Sequence, residues 1–187
     1  MLLKEKYQKQ VLPELKKKFG FKNNLAAPRL IKVVVNAGIG RIRDDKQAVQ
    51  EIEKVLSIIT GQKPLSTKSK KAISSFKTRI GMVIGKKTTL RGKRMYDFAE
   101  KLINVALPRV RDFRGLDSKS VDYGGNLTIG FKEHTAFPEI AGEDFKRIFS
   151  FEITLVSSAK SKEEALEFFK QLGFPFKPGN QSIAASK

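Results

Sequence analysis

Leu3, Tyr7, Val11, Leu15 and Phe19 recur every four residues. That spacing lays one apolar stripe along a helix, flanked by Lys4, Lys6, Lys9, Lys16, Lys17 and Lys18. It predicts a helical arm over 1–20, stopped by Gly20 and broken or kinked at Pro13, which has no N–H to donate. After a linker, Arg29 to Asn36 (RLIKVVVN) reads as a β-branched strand. One face of it is wholly apolar (Ile31, Val33, Val35), and the other mixes Leu30 and Val34 with Lys32 and Asn36. Gly38 and Gly40 mark a turn, and Asp44-Asp45 open a helix at its positive end. Val49, Ile52, Val55, Leu56 and Ile59 give that helix its buried face, and Gly61 closes it.

Strand-like pieces at Ala72 to Lys77 and Lys87 to Leu90 surround a Gly-punctuated loop, Gly81 to Gly85. A helix is expected from Gly92 to Leu107, ended by Pro108, with a basic loop from Arg109 to Asp117. The turn at Asp122 to Gly125 leads into a strand over Asn126 to Phe131, and Phe149 to Val156 alternates as another. Ser161 with Glu164 is a capping box for a helix running to Leu172, capped by Gly173. Strands separated by turns and unequal helical insertions favour an α+β class: two layers, a largely antiparallel sheet with helices packed on one face. The expected layout is a single domain over 1–178, with a mobile basic loop at 68–85 and a frayed tail at 179–187.

Composition narrows the function. The 187 residues include 37 Lys or Arg against 19 Asp or Glu, a formal net charge of +18 that calls for a polyanionic partner. The longest apolar runs, such as Val33 to Val35, fall far short of the ~20 residues that span a bilayer, so no membrane partner is expected. No export signal is seen, which implies a cytoplasmic location. With no Cys and one His, thiolate chemistry, Cys-bound zinc and multi-His metal sites are excluded, and neither metal nor cofactor is expected.

The charge is also concentrated. From Lys54 to Tyr96 there is not one Asp or Glu, while twelve cations lie inside, from Lys54 and Lys63 to Lys93 and Arg94. Ser66, Thr67, Ser69, Ser74, Ser75, Thr78, Thr88 and Thr89 add hydroxyls suited to phosphate and ribose. A merely solubilising face would mix its charges. A second cluster, Arg109, Arg111 and Arg114, can bind phosphates or pair with Asp112 and Asp117. With 9% aromatics and no Trp, structured RNA or duplex is a better partner than single strands.

Enzyme-like motifs do not hold up. Gly38-Ile39-Gly40-Arg41-Ile42-Arg43 begins like the dinucleotide fingerprint, but its third glycine is Arg43. Gly81 to Thr88 has three residues between glycines where a phosphate loop has four, and Lys87 stands where that loop needs a hydroxyl. His134 beside Glu133 lacks a third catalytic partner in the sequence. Glu139, Glu143 and Asp144 could hold a divalent ion but fit loop solvation or a protein contact better. The chain therefore reads as a non-catalytic RNA-binding protein, with a free-standing nucleic-acid-binding regulator as the alternative and a nucleotide enzyme last.

Several strings together carry a resemblance: ITGQKP (Ile59 to Pro64), TTLRGKRMY (Thr88 to Tyr96) and ALPRVRDFRG (Ala106 to Gly115). Val35 to Gly40, Phe137 to Ile140, and the Lys162 to Ala165 helix followed by Gly173 to Phe176 add to it. Along essentially its whole length the chain resembles the bacterial large-subunit ribosomal protein L5 family, 5S rRNA-binding proteins of the central protuberance. The resemblance implies a ribosome-bound structural role, with a sheet face docked on 5S rRNA through Lys32, Asn36, Gln62, Lys63, Thr67, Thr88, Thr89 and Arg91. It also implies large-subunit rRNA as a partner, and a loop (Lys70, Lys71, Ser74, Lys77, Arg79) reaching toward P-site tRNA. Arg109, Arg111 and Arg114, with Phe137 to Glu143, would face a small-subunit head protein across the intersubunit bridge or a second rRNA surface. Departures from the family pattern fall in the second half: Val121 to Asn126, His134 where Gln is common, and Phe149 to Glu152.

Overall fold

A computed structural model describes residues 2–140 and 147–177, so Glu143, Asp144 and the 179–187 tail lie outside the described residues. The N-terminal arm is one continuous helical rod: α1 (Leu3–Lys6), a π-helical stretch (Tyr7–Val11) and α2 (Leu12–Phe19). Pro13 neither breaks nor ends it. The Leu12 N–H reaches five residues back to Tyr7 O, and this wider turn makes room for the proline ring. The same device recurs before Pro108, where Leu107 N–H bonds Leu102 O in a second π-helical stretch (Leu102–Ala106). Leu3, Tyr7, Val11 and Leu15 are buried as the stripe requires, and Gly20 closes the rod with φ +69°. The Tyr7 hydroxyl donates to Pro28 O at 3.1 Å, and burial pushes its pKa up to about 12.

Five antiparallel strands form one sheet: β1 (Leu30–Gly38), β2 (Leu65–Lys68), β3 (Val83–Leu90), β4 (Leu127–Phe131) and β5 (Phe151–Ser157), in the order β2-β3-β1-β5-β4. Val33, Val35 and Ala37 of β1, Leu90 of β3, Ile153 and Leu155 of β5 and Ile129 of β4 turn to one side and are buried there. Against that side lie α3 (Lys46–Thr60), α4 (Gly92–Lys101) and α5 (Lys162–Leu172), which share one apolar core with the arm. The α+β expectation with a helix-covered face is met. Local caps are as the sequence implies: Asp45 Oδ1 accepts from Ala48 N at 3.1 Å, and Ser161 Oγ accepts from Glu164 N at 3.2 Å. The Arg147 guanidinium sits 2.7 Å from Asp45, and the Ala48 N–H first, then this cation, hold the Asp45 carboxyl below its usual pKa.

Three expectations about the sheet are corrected. Ile31 does not join the apolar face; it is 42% exposed, because a bulge between Leu30 and Lys32 buries Leu30 instead. Ala72 to Lys77 is not a strand, since only the Ile73–Thr78 bridge pairs there, around a turn from Ser74 to Lys77. Regular pairing resumes at Val83, so the Gly81 to Gly85 segment is half strand, and the irregular arm between β2 and β3 is 69–82.

Candidate nucleic-acid interface

The face of the sheet away from the helices follows from register. Asn36 pairs with Lys87, Val34 with Thr89, Leu65 with Lys87 and Thr67 with Gly85. Residues directly opposite in an antiparallel ladder share a face. Leu65, Thr67, Lys87, Thr89, Lys32, Val34 and Asn36 therefore share one uncovered surface across β2, β3 and β1. Gly85 sits toward its Lys68 end, where a Cβ would meet Thr67 Oγ1 at 2.6 Å and Ala37 O at 3.3 Å. A side chain there would displace the Thr67 hydroxyl, and its absence lets that hydroxyl and the Asn36 amide converge over the strand.

Gln62 and Lys63 lead into β2. Gly61, at φ +65°, ends α3 and turns the chain back, with its N–H on Ser57 O at 2.8 Å. The buried Thr60 hydroxyl donates to Leu56 O at 2.6 Å, and Gln62 Nε2 reaches Thr89 O at 3.5 Å. Gln62 is thus seated at the end of β3, beside Thr89 and next to the exposed Arg91. Lys63 is exposed, 3.7 Å from Glu53 Oε1.

Two residues of the same run turn the other way. Thr88 is 1% exposed on the helix side, and its hydroxyl has no hydrogen-bond partner among the described residues. It does not share the open face with Thr89. Lys86, 7% exposed, is held by Glu53 Oε2 at 2.6 Å and Ser66 Oγ at 3.0 Å. That hydrogen bond, with the cation behind it, keeps the Glu53 carboxyl below its usual pKa. Lys87, absent from the residues the resemblance implies, does share the open face: it stands opposite Asn36, and its parity with Thr89 was the available signal.

In the 69–82 arm, Lys70, Lys71, Ser74, Lys77 and Arg79 are all exposed, beside exposed Ile73, Phe76 and Ile80. Arg109, Arg111 and Arg114 are exposed too, and none forms an ion pair among the described residues, Asp112 and Asp117 included. They are not part of the open face. Arg109 and Arg111 line a cleft of about 510 Å³ with Gly130, Lys132 and Glu133, at the β4 edge opposite β2. Phe113 packs on the core.

The enzyme-like groups have structural roles. His134 is buried with its ring stacked on Phe149 at 4.8 Å; burial lowers its pKa, against a smaller upward pull from Glu133. Glu139 is paired with Lys101 at 2.7 Å, and the same ammonium donates to Ile59 O at 2.7 Å. Among the described residues no three His, Asp or Glu gather as metal ligands, and no helix is long and apolar enough to cross a membrane.

The sequence profile described as Ribosomal protein L5 matches residues 23–79, and the profile for the C-terminus of the same ribosomal family matches 83–176. The chain belongs to the ribosomal protein L5 family. It is 50% identical over 174 residues to the "Large ribosomal subunit protein uL5" of Desulforamulus reducens, covering 93% of this chain and 96% of that one. Its identity to the protein of the same name from Fervidobacterium nodosum is 51% over 175 residues (94% and 95% of the two chains). With that from Halothermothrix orenii it is 47% over 175 residues (94% and 98%). The chain is accordingly a structural, ribosome-bound constituent of the large subunit and not an enzyme. The profile boundary at 79–83 falls in the arm just before β3, while the open face draws on strands from both matched halves.

Proposed function

We propose that this family member binds 5S rRNA through the open face and helps attach it to the rest of the large subunit. The observation that carries the reading is the convergence of Lys32, Asn36, Thr67, Lys87 and Thr89 on one uncovered surface, with Gln62, Lys63 and Arg91 at its end. Cations there supply backbone attraction, while the Asn36 and Gln62 amides and the Thr67 and Thr89 hydroxyls supply directional bonds to ribose, phosphate or base edges. Glu152 of β5 stands opposite Asn36 on the other side, so the cationic field is confined to the β1–β3–β2 half.

In the same reading, the exposed Lys70, Lys71, Ser74, Lys77 and Arg79 carry the 69–82 arm's contact to P-site tRNA. Arg109 and Arg111, at the far edge of the sheet, and Arg114 in the loop that follows them meet either large-subunit rRNA or a protein of the small-subunit head. The distance in topology between β2 and β4 is what separates these roles. A direct titration with a 5S rRNA transcript tests the face. Asn36→Ala or Gln62→Ala should weaken binding about five- to tenfold, the worth of one hydrogen bond, with an unchanged thermal melt. Unchanged affinity in both would remove the face from the RNA contact. Removing 70–81 should leave that affinity nearly intact and impair P-site tRNA binding by assembled ribosomes.

A further inference from the structure

Arg43 is the residue that breaks the glycine pattern after β1, and it has a different use. Its side chain is only 15% exposed and runs across to the 69–82 arm. Nη1 donates to Phe76 O at 3.3 Å and Nη2 to Lys77 O at 2.9 Å, with the Asp44 carboxylate 3.8 Å from Nε. The arm's other bonds are its own. Ile73 and Thr78 exchange both N–H···O bonds at 3.1 Å, Lys77 N donates to Ser74 O at 2.9 Å, and Ser69 N donates to Met82 O at 2.8 Å. Among the described residues, the two bonds from Arg43 are the only hydrogen bonds or ion pairs that join residues 69–82 to the rest of the chain.

They fall at the tip, where shape is hardest to hold. Lys77 has φ +49°, a left-handed conformation that a non-glycine residue adopts only when its surroundings impose it. Phe76 is 70% exposed, so no core fixes the turn from inside. A planar guanidinium can serve two neighbouring carbonyls at once; an ammonium is a point charge without that fork.

We propose that Arg43 is a positioning residue: its forked donation to the Phe76 and Lys77 carbonyls sets the tip of the arm, so that Lys70, Lys71, Lys77 and Arg79 meet RNA already ordered. Pre-ordering raises affinity by lowering the entropy lost on binding. The proposal rests on reading the arm as an RNA contact, and the experiment separates the two.

Hydrogen exchange on the full chain compares wild type, Arg43→Ala and Arg43→Lys, with thermal melts to show that all three are folded. The Ile73, Lys77 and Thr78 amides should exchange about tenfold faster in Arg43→Ala, with β1 and β5 amides unchanged and Arg43→Lys recovering only part of the protection. Ribosomes assembled with Arg43→Ala should bind deacylated P-site tRNA several-fold more weakly, while the free proteins bind a 5S rRNA transcript equally. Unchanged exchange at the tip would overturn the clamp. Faster exchange with undiminished tRNA binding would overturn the positioning role, provided that deleting 70–81 does weaken tRNA binding. If that deletion also has no effect, the arm's RNA contact is itself wrong and the positioning role falls with it.

Discussion

Raising salt should loosen 5S rRNA from the open face along a steep line whose slope counts the phosphates engaged. The exposed or half-exposed cations available are Lys32 and Lys87 on the face, Lys63 and Arg91 at one end of it, and Lys68 at the other, five in all. Lys86 is left out because it is buried against Glu53. With about 0.9 counterions released per phosphate, five contacts give a log–log slope of about −4.5, or about a 500-fold loss of affinity between 50 and 200 mM salt. Lys87→Ala should flatten the slope to about −3.6 and shrink that loss to about 150-fold. Asn36→Ala should lower affinity while leaving the slope untouched, since an amide displaces no counterion. The assay is a filter-binding or fluorescence titration with a 5S rRNA transcript at five salt concentrations. A slope shallower than about −2, or no change of slope with Lys87→Ala, would refute an electrostatic face of this composition.

Other expectations follow from groups on the helix side. Thr88→Val removes a buried hydroxyl that has no partner, so it should raise stability by about 1 kcal/mol in urea unfolding and leave RNA affinity unchanged; weakened binding would return Thr88 to the interface. Glu53→Gln strands the buried Lys86 ammonium and should cost about 2 kcal/mol at neutral pH, less than a fully buried pair because Glu53 is partly solvated. The Glu53 carboxyl is held below its ordinary value, so its contribution is present above pH about 4.5 and fades as pH falls through the lowered pKa; Glu53→Gln should not show that loss. Burial lowers the His134 pKa, so the unfolded chain takes up a proton first as pH drops below about 6.5, and stability should decline from there toward pH 5. Urea melts of His134→Gln at pH 7.5 and 5.5 should show a smaller decline than wild type, and an equal decline would refute the assignment.

Much of this was legible because it is local. The four-residue stripe of the arm, the Asp45 and Ser161 caps and the Gly61 and Gly173 stops depend on residues within a few turns of one another, and the acid-free run from Lys54 to Tyr96 is continuous in the chain. They fixed the helices, the class of partner and, through strings such as TTLRGKRMY, the family. The pairing of β2 with β3 was not legible, because four residues with Leu65 and Thr67 outward carry no apolar face to betray them.

Which side a strand residue faces was decided only in three dimensions. Neighbours along a strand point opposite ways, so Thr88 and Thr89, or Lys86 and Lys87, are indistinguishable as letters and opposite in role once register is set. One bulge was enough to expose Ile31 and bury Leu30. Arg43 shows the same limit at longer range: its use comes from carbonyls 33 and 34 residues away, brought within reach by the antiparallel return of β3 beside β1. Chain composition sets how much charge there is to place, but pairing between distant segments decides which charges stand on the open face and which are spent inside.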